Sequence, residues 1–180
     1  MMIEVFNVDR YYYHGVSDLM DEVSIDIMIN IISSGGLKTR NSVRELGDDY
    51  NHVCLYKKND EYDYEDNLKS ARSGWIDHCF FFIISPDILT YKSSYGTDTN
   101  LVDEWRSIGD IPLDKIVGIA IPFDGIADFK EKFPNLYDSF DEKLSRLISI
   151  AEANGWIIEN SDEEDLCDRL DMELNGMKKK

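Results

Sequence analysis

Residues 10–16, RYYYHGV, form the stretch that decides the fold. Aromatic and β-branched side chains favour extended backbone, and Gly15 interrupts the run, so this stretch predicts a β-strand. Pro122 ends another such segment, because proline cannot donate to a sheet ladder. The predicted strands are EVFNV at 4–8, RYYYHGV at 10–16, HVCLYKK at 52–58, HCFFFIIS at 78–85 and IVGIAIP at 116–122.

An early helix is predicted between the second and third of these strands. Residues 24–36, SIDIMINIISSGG, place Ile25, Met28 and Ile32 on one face. Ser24 is the expected N-cap, and Gly35 or Gly36 supplies the left-handed stop. Because the segment is apolar on nearly all sides, we expect this helix to be buried.

The C-terminal part of the sequence has a helical pattern. Residues 139–155, SFDEKLSRLISIAEANG, contain a Ser139–Glu142 capping box and end at Gly155. Residues 161–176, SDEEDLCDRLDMELNG, repeat this plan with an acidic first turn. One face of the first of these helices is apolar, at Phe140, Leu144, Leu147 and Ala151. Strands followed by helices predict an α+β domain.

Composition restricts the partners of this domain. The 180 residues, 43% of them hydrophobic, suffice for one well-packed core, so we expect a single domain. A net charge of -17 disfavours binding to nucleic acid or anionic lipid.

No segment approaches the roughly 18 apolar residues of a membrane span, and the N-terminus lacks a signal-peptide pattern, which predicts a soluble cytoplasmic protein. Cys54, Cys79 and Cys167 have neither disulfide nor zinc spacing, so we expect no metal.

Three stretches together point to a function. The first runs from YYYHG at 11–15 through the early helix to GLKTR at 36–40. The second is NHVCLYKK at 51–58, and the third is TNLVDEWRSIGDIPLDKIVGIAIP at 99–122. In this order and spacing, residues of about 10–122 resemble the ADP-ribosyltransferase superfamily of the His-Tyr/Ser-Glu type, above all its small bacterial toxin-like members.

The resemblance implies a split, mostly antiparallel sheet as the core, with the helical part at about 134–176 completing the single domain 1–180. It also implies that NAD is the substrate. His14 would hydrogen-bond a ribose hydroxyl, and the backbone of Gly15 would meet the carboxamide of nicotinamide. Tyr56 would stack on the nicotinamide ring, a role that Tyr13 or Tyr12 could share or take.

The resemblance places the catalytic carboxylate at Glu104, eight residues before Pro112. Glu104 would hold the ribose 2′-hydroxyl and stabilise the oxocarbenium ion that forms when nicotinamide leaves. The chain departs from the family pattern in two ways: Cys54 stands where serine is frequent, and Val102 stands where an acidic residue or glutamine is frequent. The second departure argues against the arginine-modifying subclass.

The diphosphate of NAD requires positive charge. Residues 37–58 hold five basic and three acidic residues, a local excess in an acidic chain. We expect Arg40 to bind the phosphates, because its planar fork can bind two oxygens, with Lys38 or Arg44 in support. The loop YKSSYGTDTNLVD at 91–103 would contact the acceptor through Tyr95, and the overall acidity favours a protein acceptor over nucleic acid.

Alternative interpretations remain open at this point. Taken singly, His14 is a turn histidine, Tyr56 is strand packing, Glu104 is one of 36 acids and Arg40 caps a helix end. The strong acidity also suits a non-enzymatic binding protein, namely an immunity protein, an inhibitor or a nucleic-acid mimic. A third interpretation is a degenerate transferase fold that binds NAD without turnover.

Overall fold

The computed structural model describes residues 1–5, 10–17, 22–40, 51–56, 80–92 and 104–161. The helices are α1 (Glu22–Ser33), α2 (Phe123–Lys132) and α3 (Tyr137–Ala153), with short 3-10 turns at Leu113–Lys115 and Pro134–Leu136. The strands are β1 (Ile3–Val5), β2 (Tyr12–Ser17), β3 (Gly36–Leu37), β4 (Cys54–Tyr56), β5 (Phe80–Ile84), β6 (Thr90–Lys92), β7 (Glu104–Ser107), β8 (Ile111–Pro112), β9 (Ile116–Ile121) and β10 (Ile157–Asn160).

Eight of these strands form one mixed sheet in the order β1-β10-β9-β5-β2-β4-β7-β6. The contacts of β10 with β1 and with β9 are parallel, whereas every other contact between described strands of this sheet is antiparallel. Strands β3 and β8 form a separate antiparallel pair. The predicted α+β class with a mostly antiparallel sheet is therefore correct.

The middle of the sheet is buried on both faces. All five residues of β5 are buried, so its uninterrupted apolar sequence fits a central position. One face, here called the helix face, packs Tyr12, Phe82 and Ile119 against the helices. The other face, here called the tyrosine face, holds Tyr11, Tyr13, Phe81, Ile83 and Ala120.

Helices α1 and α3 cover the helix face. Their buried residues recur every three or four positions, as predicted, so each presents one stripe to the core. These residues are Ile25, Met28, Ile29, Phe140, Leu144, Leu147 and Ala151. Lys143 on α3 also contacts two acids of α1, Asp26 at 2.7 Å and Glu22 at 3.5 Å. Apolar burial and a charged rim together fix α1 against α3.

Two predictions about α1 were wrong. Ser24 is not the N-cap, because the helix begins at Glu22 and Ser24 lies fully buried inside it. The helix is also not buried on all sides: Val23 is 47% exposed and Ile27 is 37% exposed. Its end agrees with the prediction, since Gly35 follows the helix at φ 91°.

The expected capping box of α3 was also wrong. The helix begins at Tyr137, so Ser139 lies within its first turn. Its hydroxyl donates to Oε2 of Glu22 at 2.6 Å, a contact with α1 that sequence spacing does not reveal. Gly155 ends the segment at φ 66°, as predicted. The second C-terminal helix, expected at 161–176, lies outside the described residues from position 162 onward.

Sequence patterns missed β10. Strand β10 follows α3 directly and inserts in parallel between β1 and β9, pairing Ile158 with both Ile3 and Ile119. Of the first strand expected at 4–8, residues 4 and 5 lie in β1 (Ile3–Val5), and residues 6–8 lie outside the described residues. Among the described residues, no helix is long and apolar enough to cross a membrane.

Candidate functional site

The tyrosine face becomes accessible toward one edge of the sheet. Tyr13 on β2 is fully buried. Cys54 on β4 and Arg106 on β7 are half-buried, and Tyr91 on the edge strand β6 is 45% exposed. We call these last three residues the open end. Among the described residues, the open end is an accessible part of the tyrosine face, whereas the centre of the sheet is closed on both faces.

Backbone register brings the predicted site segments together at the open end. Tyr56 pairs with Tyr13 on one side and with Glu104 on the other. The three positions therefore form one cross-strand line over β2, β4 and β7. Neighbouring strands lie about 4.8 Å apart, so the line spans about 10 Å. Glu104 begins β7, as the sequence predicted for the carboxylate.

His14 is offset by one residue from this line. Successive side chains of a strand point to opposite faces, so His14, which pairs with Phe82 of the helix face, leaves β2 on the side opposite to Tyr13. The register therefore does not bring His14 onto the face that the line of Tyr13, Tyr56 and Glu104 belongs to. Strands β2 and β4 pair at Tyr13 and Tyr56. Next to this pair, Nδ1 of His14 lies 2.8 Å from the carbonyl oxygen of Cys54. The half-buried imidazole thus reaches the backbone of β4.

This contact fixes the tautomer of His14. A carbonyl oxygen can only accept, so Nδ1 carries the proton and donates. In the neutral ring, Nε2 is then a hydrogen-bond acceptor.

The remaining members of the predicted nicotinamide site differ in accessibility. Gly15 is half-buried in β2, next to an irregularity in the β2–β5 register. The Tyr13 hydroxyl donates to Oε2 of Glu159 at 2.7 Å, and its ring packs edge-to-face on Phe81. Tyr12 lies in the core of the helix face, with its hydroxyl 2.8 Å from Thr90 Oγ1. Tyr12 and Tyr13 thus make structural contacts within the folded core.

The predicted phosphate-binding residues follow β3. Arg40 is exposed, and the backbone N–H of neighbouring Thr39 donates to Asp110 at 2.7 Å. Lys38 lies 3.9 Å from the same carboxylate. Asp110 comes after the C-terminal end of β7, whereas Glu104 begins that strand, so the structure does not bring Arg40 and Glu104 to the same end of β7. Arg44 and Tyr95 lie outside the described residues.

Sequence reasoning missed Arg106. This residue occupies the position of β7 two after Glu104 and pairs with Cys54 on β4 and Tyr91 on β6. The signal that could have identified it is the alternation of EWRS at 104–107, which gives Glu104 and Arg106 the same parity. Trp105, between them, packs on the core of the helix face.

A second missed residue is Glu159, a fully buried acid on β10. Its carboxylate meets Tyr13 across two intervening strands, β9 and β5. No sequence pattern distinguishes this acid from the many on the surface.

Among the residues that the structure describes, no group of three or more His, Cys, Asp or Glu side chains is arranged to hold a metal ion. Comparison of the sequence with protein-family models and with curated proteins gives no match.

Proposed function

We propose that this protein is an NAD-dependent ADP-ribosyltransferase that cleaves the bond between nicotinamide and ribose and transfers ADP-ribose to a protein acceptor. The observation that carries the proposal is the position of β4 between β2 and β7, with Tyr56 paired to both Tyr13 and Glu104. Segments that are 43 and 48 residues apart in sequence thereby meet beside an accessible part of the sheet.

The proposed reaction requires few groups. The C1′–N bond of the nicotinamide ribose breaks, its electron pair leaves with nicotinamide, and positive charge develops on the sugar. Glu104 holds the 2′-hydroxyl and stabilises this oxocarbenium ion by its negative charge. A nucleophilic atom of the acceptor then attacks C1′ and releases its proton.

Gly15 completes the proposed nicotinamide site, and His14 is proposed to contribute to it from the opposite side of β2, where its imidazole meets the backbone of β4. The tautomer imposed by the Cys54 carbonyl supports the role of His14, because Nε2 can accept a hydrogen bond from a ribose hydroxyl. The half-buried backbone of Gly15 pairs with the carboxamide of nicotinamide. Tyr56 supplies the stacking surface for the pyridinium ring.

The direct test is incubation of the purified protein with NAD, followed by measurement of released nicotinamide. Release in the absence of an acceptor identifies NAD cleavage. Intact-mass analysis of cell-extract proteins after reaction then identifies the acceptor, since each ADP-ribose adds a defined mass. A protein that neither binds NAD nor releases nicotinamide contradicts the proposal.

The net charge of -17 favours a second candidate, an acidic binding protein that covers a basic surface of its target. Such a protein binds its target more weakly as salt rises, and it does not consume NAD. The nicotinamide assay separates the two candidates, because turnover that depends on Glu104 is expected only for the transferase. NAD binding without release would indicate a degenerate transferase fold.

A further inference from the structure

We propose that a groove at the start of β9 and β10 binds an arginine side chain of a basic partner protein. The groove lies where the turn between α3 and β10 meets the 3-10 turn at Leu113–Lys115. Strands β5 and β2 separate β9 from β4, so the groove lies apart from the proposed nicotinamide site. The inference therefore does not depend on NAD cleavage.

The lining of the groove combines an aromatic ring with a carboxylate. Its volume is about 560 Å³, which admits a long side chain together with neighbouring residues of a partner. The apolar lining includes half-buried Leu113, Val117 and Trp156, and the polar lining includes exposed Asp114 and Asn154. A guanidinium group can stack on an indole ring and pair with a carboxylate at the same time, so this lining suits arginine.

Asp114 has no ion-pair or hydrogen-bond partner within the described part of the chain. Lys115, its neighbour in sequence, instead contacts Asp87, with Nζ 3.2 Å from Oδ2. The carboxylate of Asp114 is thus available to a cation from outside the chain, next to apolar surface that a side-chain stem can cover.

The end of α3 adds negative charge beside the groove. The C-terminal pole of a helix favours a nearby cation, yet the last turn of α3 holds no basic residue and contains the exposed acid Glu152. The backbone N–H of Trp156 donates to the carbonyl of Ala151 at 2.9 Å, which holds Trp156 against this pole. A local arrangement that helix electrostatics disfavours is expected where a partner supplies the missing charge.

The net charge identifies the class of the partner. A charge of -17 repels the phosphates of nucleic acid, whereas it attracts a basic protein surface and speeds its association. Arginine is also enriched among the residues that dominate protein–protein binding. Lysine fits the groove less well, because its ammonium group lacks the planar surface that stacks on an indole ring.

The test titrates isotope-labelled protein with a capped peptide that has arginine between two glycines, and follows the indole N–H signals by NMR. The spectrum of Trp156→Phe identifies the signal of Trp156 among those of the three tryptophans. We expect the peptide to shift this signal, and the equivalent lysine peptide to bind more weakly. Absence of a shift at Trp156, with or without shifts elsewhere, overturns the inference.

Substitution of Asp114 distinguishes the groove from general attraction to an acidic surface. Asp114→Asn should weaken binding of the arginine peptide by about twofold to fivefold, the usual effect of losing an exposed ion pair. Asp128→Asn, at an exposed acid of α2, is the matched control and should bind the peptide as unmodified protein does. Equal weakening in the two variants overturns the inference.

Nicotinamide release separates this inference from the proposed function. Asp114→Asn should release nicotinamide at the rate of unmodified protein, because β5 and β2 lie between the groove and β4. Failure of the arginine peptide to bind, together with normal release, overturns the inference and leaves the transferase intact. Binding at Trp156 without nicotinamide release supports the inference and contradicts the transferase.

Discussion

The phenolic hydroxyl of Tyr13 donates a 2.7 Å hydrogen bond to Oε2 of Glu159, although the two residues are 146 positions apart. Both side chains are fully buried. A buried carboxylate is costly unless hydrogen bonds replace its hydration, so this contact links the N-terminal half of the sheet to β10.

We expect Tyr13→Phe to lower the free energy of unfolding by about 1 to 3 kcal/mol, because the substitution removes a donor from the buried Glu159 carboxylate. Urea unfolding followed by circular dichroism measures the change. Tyr91→Phe is the matched control, since Tyr91 is 45% exposed and should tolerate loss of its hydroxyl. Equal stability of Tyr13→Phe and unmodified protein would show that the hydrogen bond contributes no net stability.

Glu104→Gln should reduce nicotinamide release by on the order of a hundredfold or more, because the amide lacks the negative charge that stabilises the oxocarbenium ion. Circular dichroism and thermal unfolding should remain unchanged. Glu131→Gln, at an exposed acid of α2, should retain full activity. Comparable rates for the two variants would remove Glu104 from the reaction.

Substitutions of Tyr56 test stacking on nicotinamide. Tyr56→Phe keeps the ring and should leave the KM for NAD nearly unchanged, whereas Tyr56→Ala should weaken binding by about 1 to 3 kcal/mol, the usual contribution of stacking on an aromatic side chain. Steady-state kinetics on both variants checks this. An equal increase in the KM for NAD in Tyr56→Phe and Tyr56→Ala would assign the contribution to the hydroxyl rather than to the ring.

Adjacent glycines provide a comparison between backbone strain and steric overlap. Gly35 and Gly36 both have positive φ, at 91° and 135°, and alanine at either position should cost about 1 to 3 kcal/mol. Only at Gly36 would an added Cβ also overlap the carbonyl oxygen of Ile111, at 2.2 Å. Gly36→Ala should therefore lose more stability to urea than Gly35→Ala; the reverse order would contradict the close β3–β8 pairing.

Stability should depend on pH through Lys143. Its hydrogen bond to Asp26, with Coulombic attraction to Asp26 and Glu22, raises the pKa of Lys143 above its usual value. A raised pKa in the folded protein stabilises it fully below the unfolded value of about 10.4, and this contribution is lost as pH rises through the folded pKa. Urea unfolding at pH 7 and pH 11 should therefore show a smaller loss of stability in Lys143→Gln, relative to unmodified protein, at pH 11 than at pH 7. Lys132→Gln, at an exposed lysine of α2, should be as stable to urea as unmodified protein at both pH values. If Lys143→Gln loses as much stability at pH 11 as at pH 7, the effect is due to packing rather than to charge.

Local sequence patterns predicted the elements whose burial repeats with a regular period. Residues 78–85 and 116–122 contain β5 and β9, and the apolar stripe of α3 is buried as expected. Both helix starts were wrong because a serine followed by an apolar run also occurs inside helices that begin earlier. Strand β10 was missed because its two apolar residues, Ile157 and Ile158, gain their strand character only from parallel neighbours.

The sequence predicted less of the candidate site than of the fold. The position of Glu104 at the start of β7 agrees with the pattern, but its pairing with Tyr56 depends on strand order, which no local signal specifies. Alternation along β2 separates His14 from Tyr13, and the contact of His14 with Cys54 depends on how β2 and β4 meet. The sequence did not indicate Arg106, because a single arginine within a strand forms no charge cluster, whereas the stretch after Gly36 does.

The parallel insertion of β10 between β1 and β9 determines the order in which the sheet can assemble during synthesis. Strand β1 is translated before the other strands of the sheet, yet Ile3 finds its partner only when Ile158, 155 positions later, has been translated. Until then, the exposed edge of β9 is open to pairing with other chains, a known hazard for aggregation. Truncation before residue 157 should therefore yield a nascent chain that depends on chaperones.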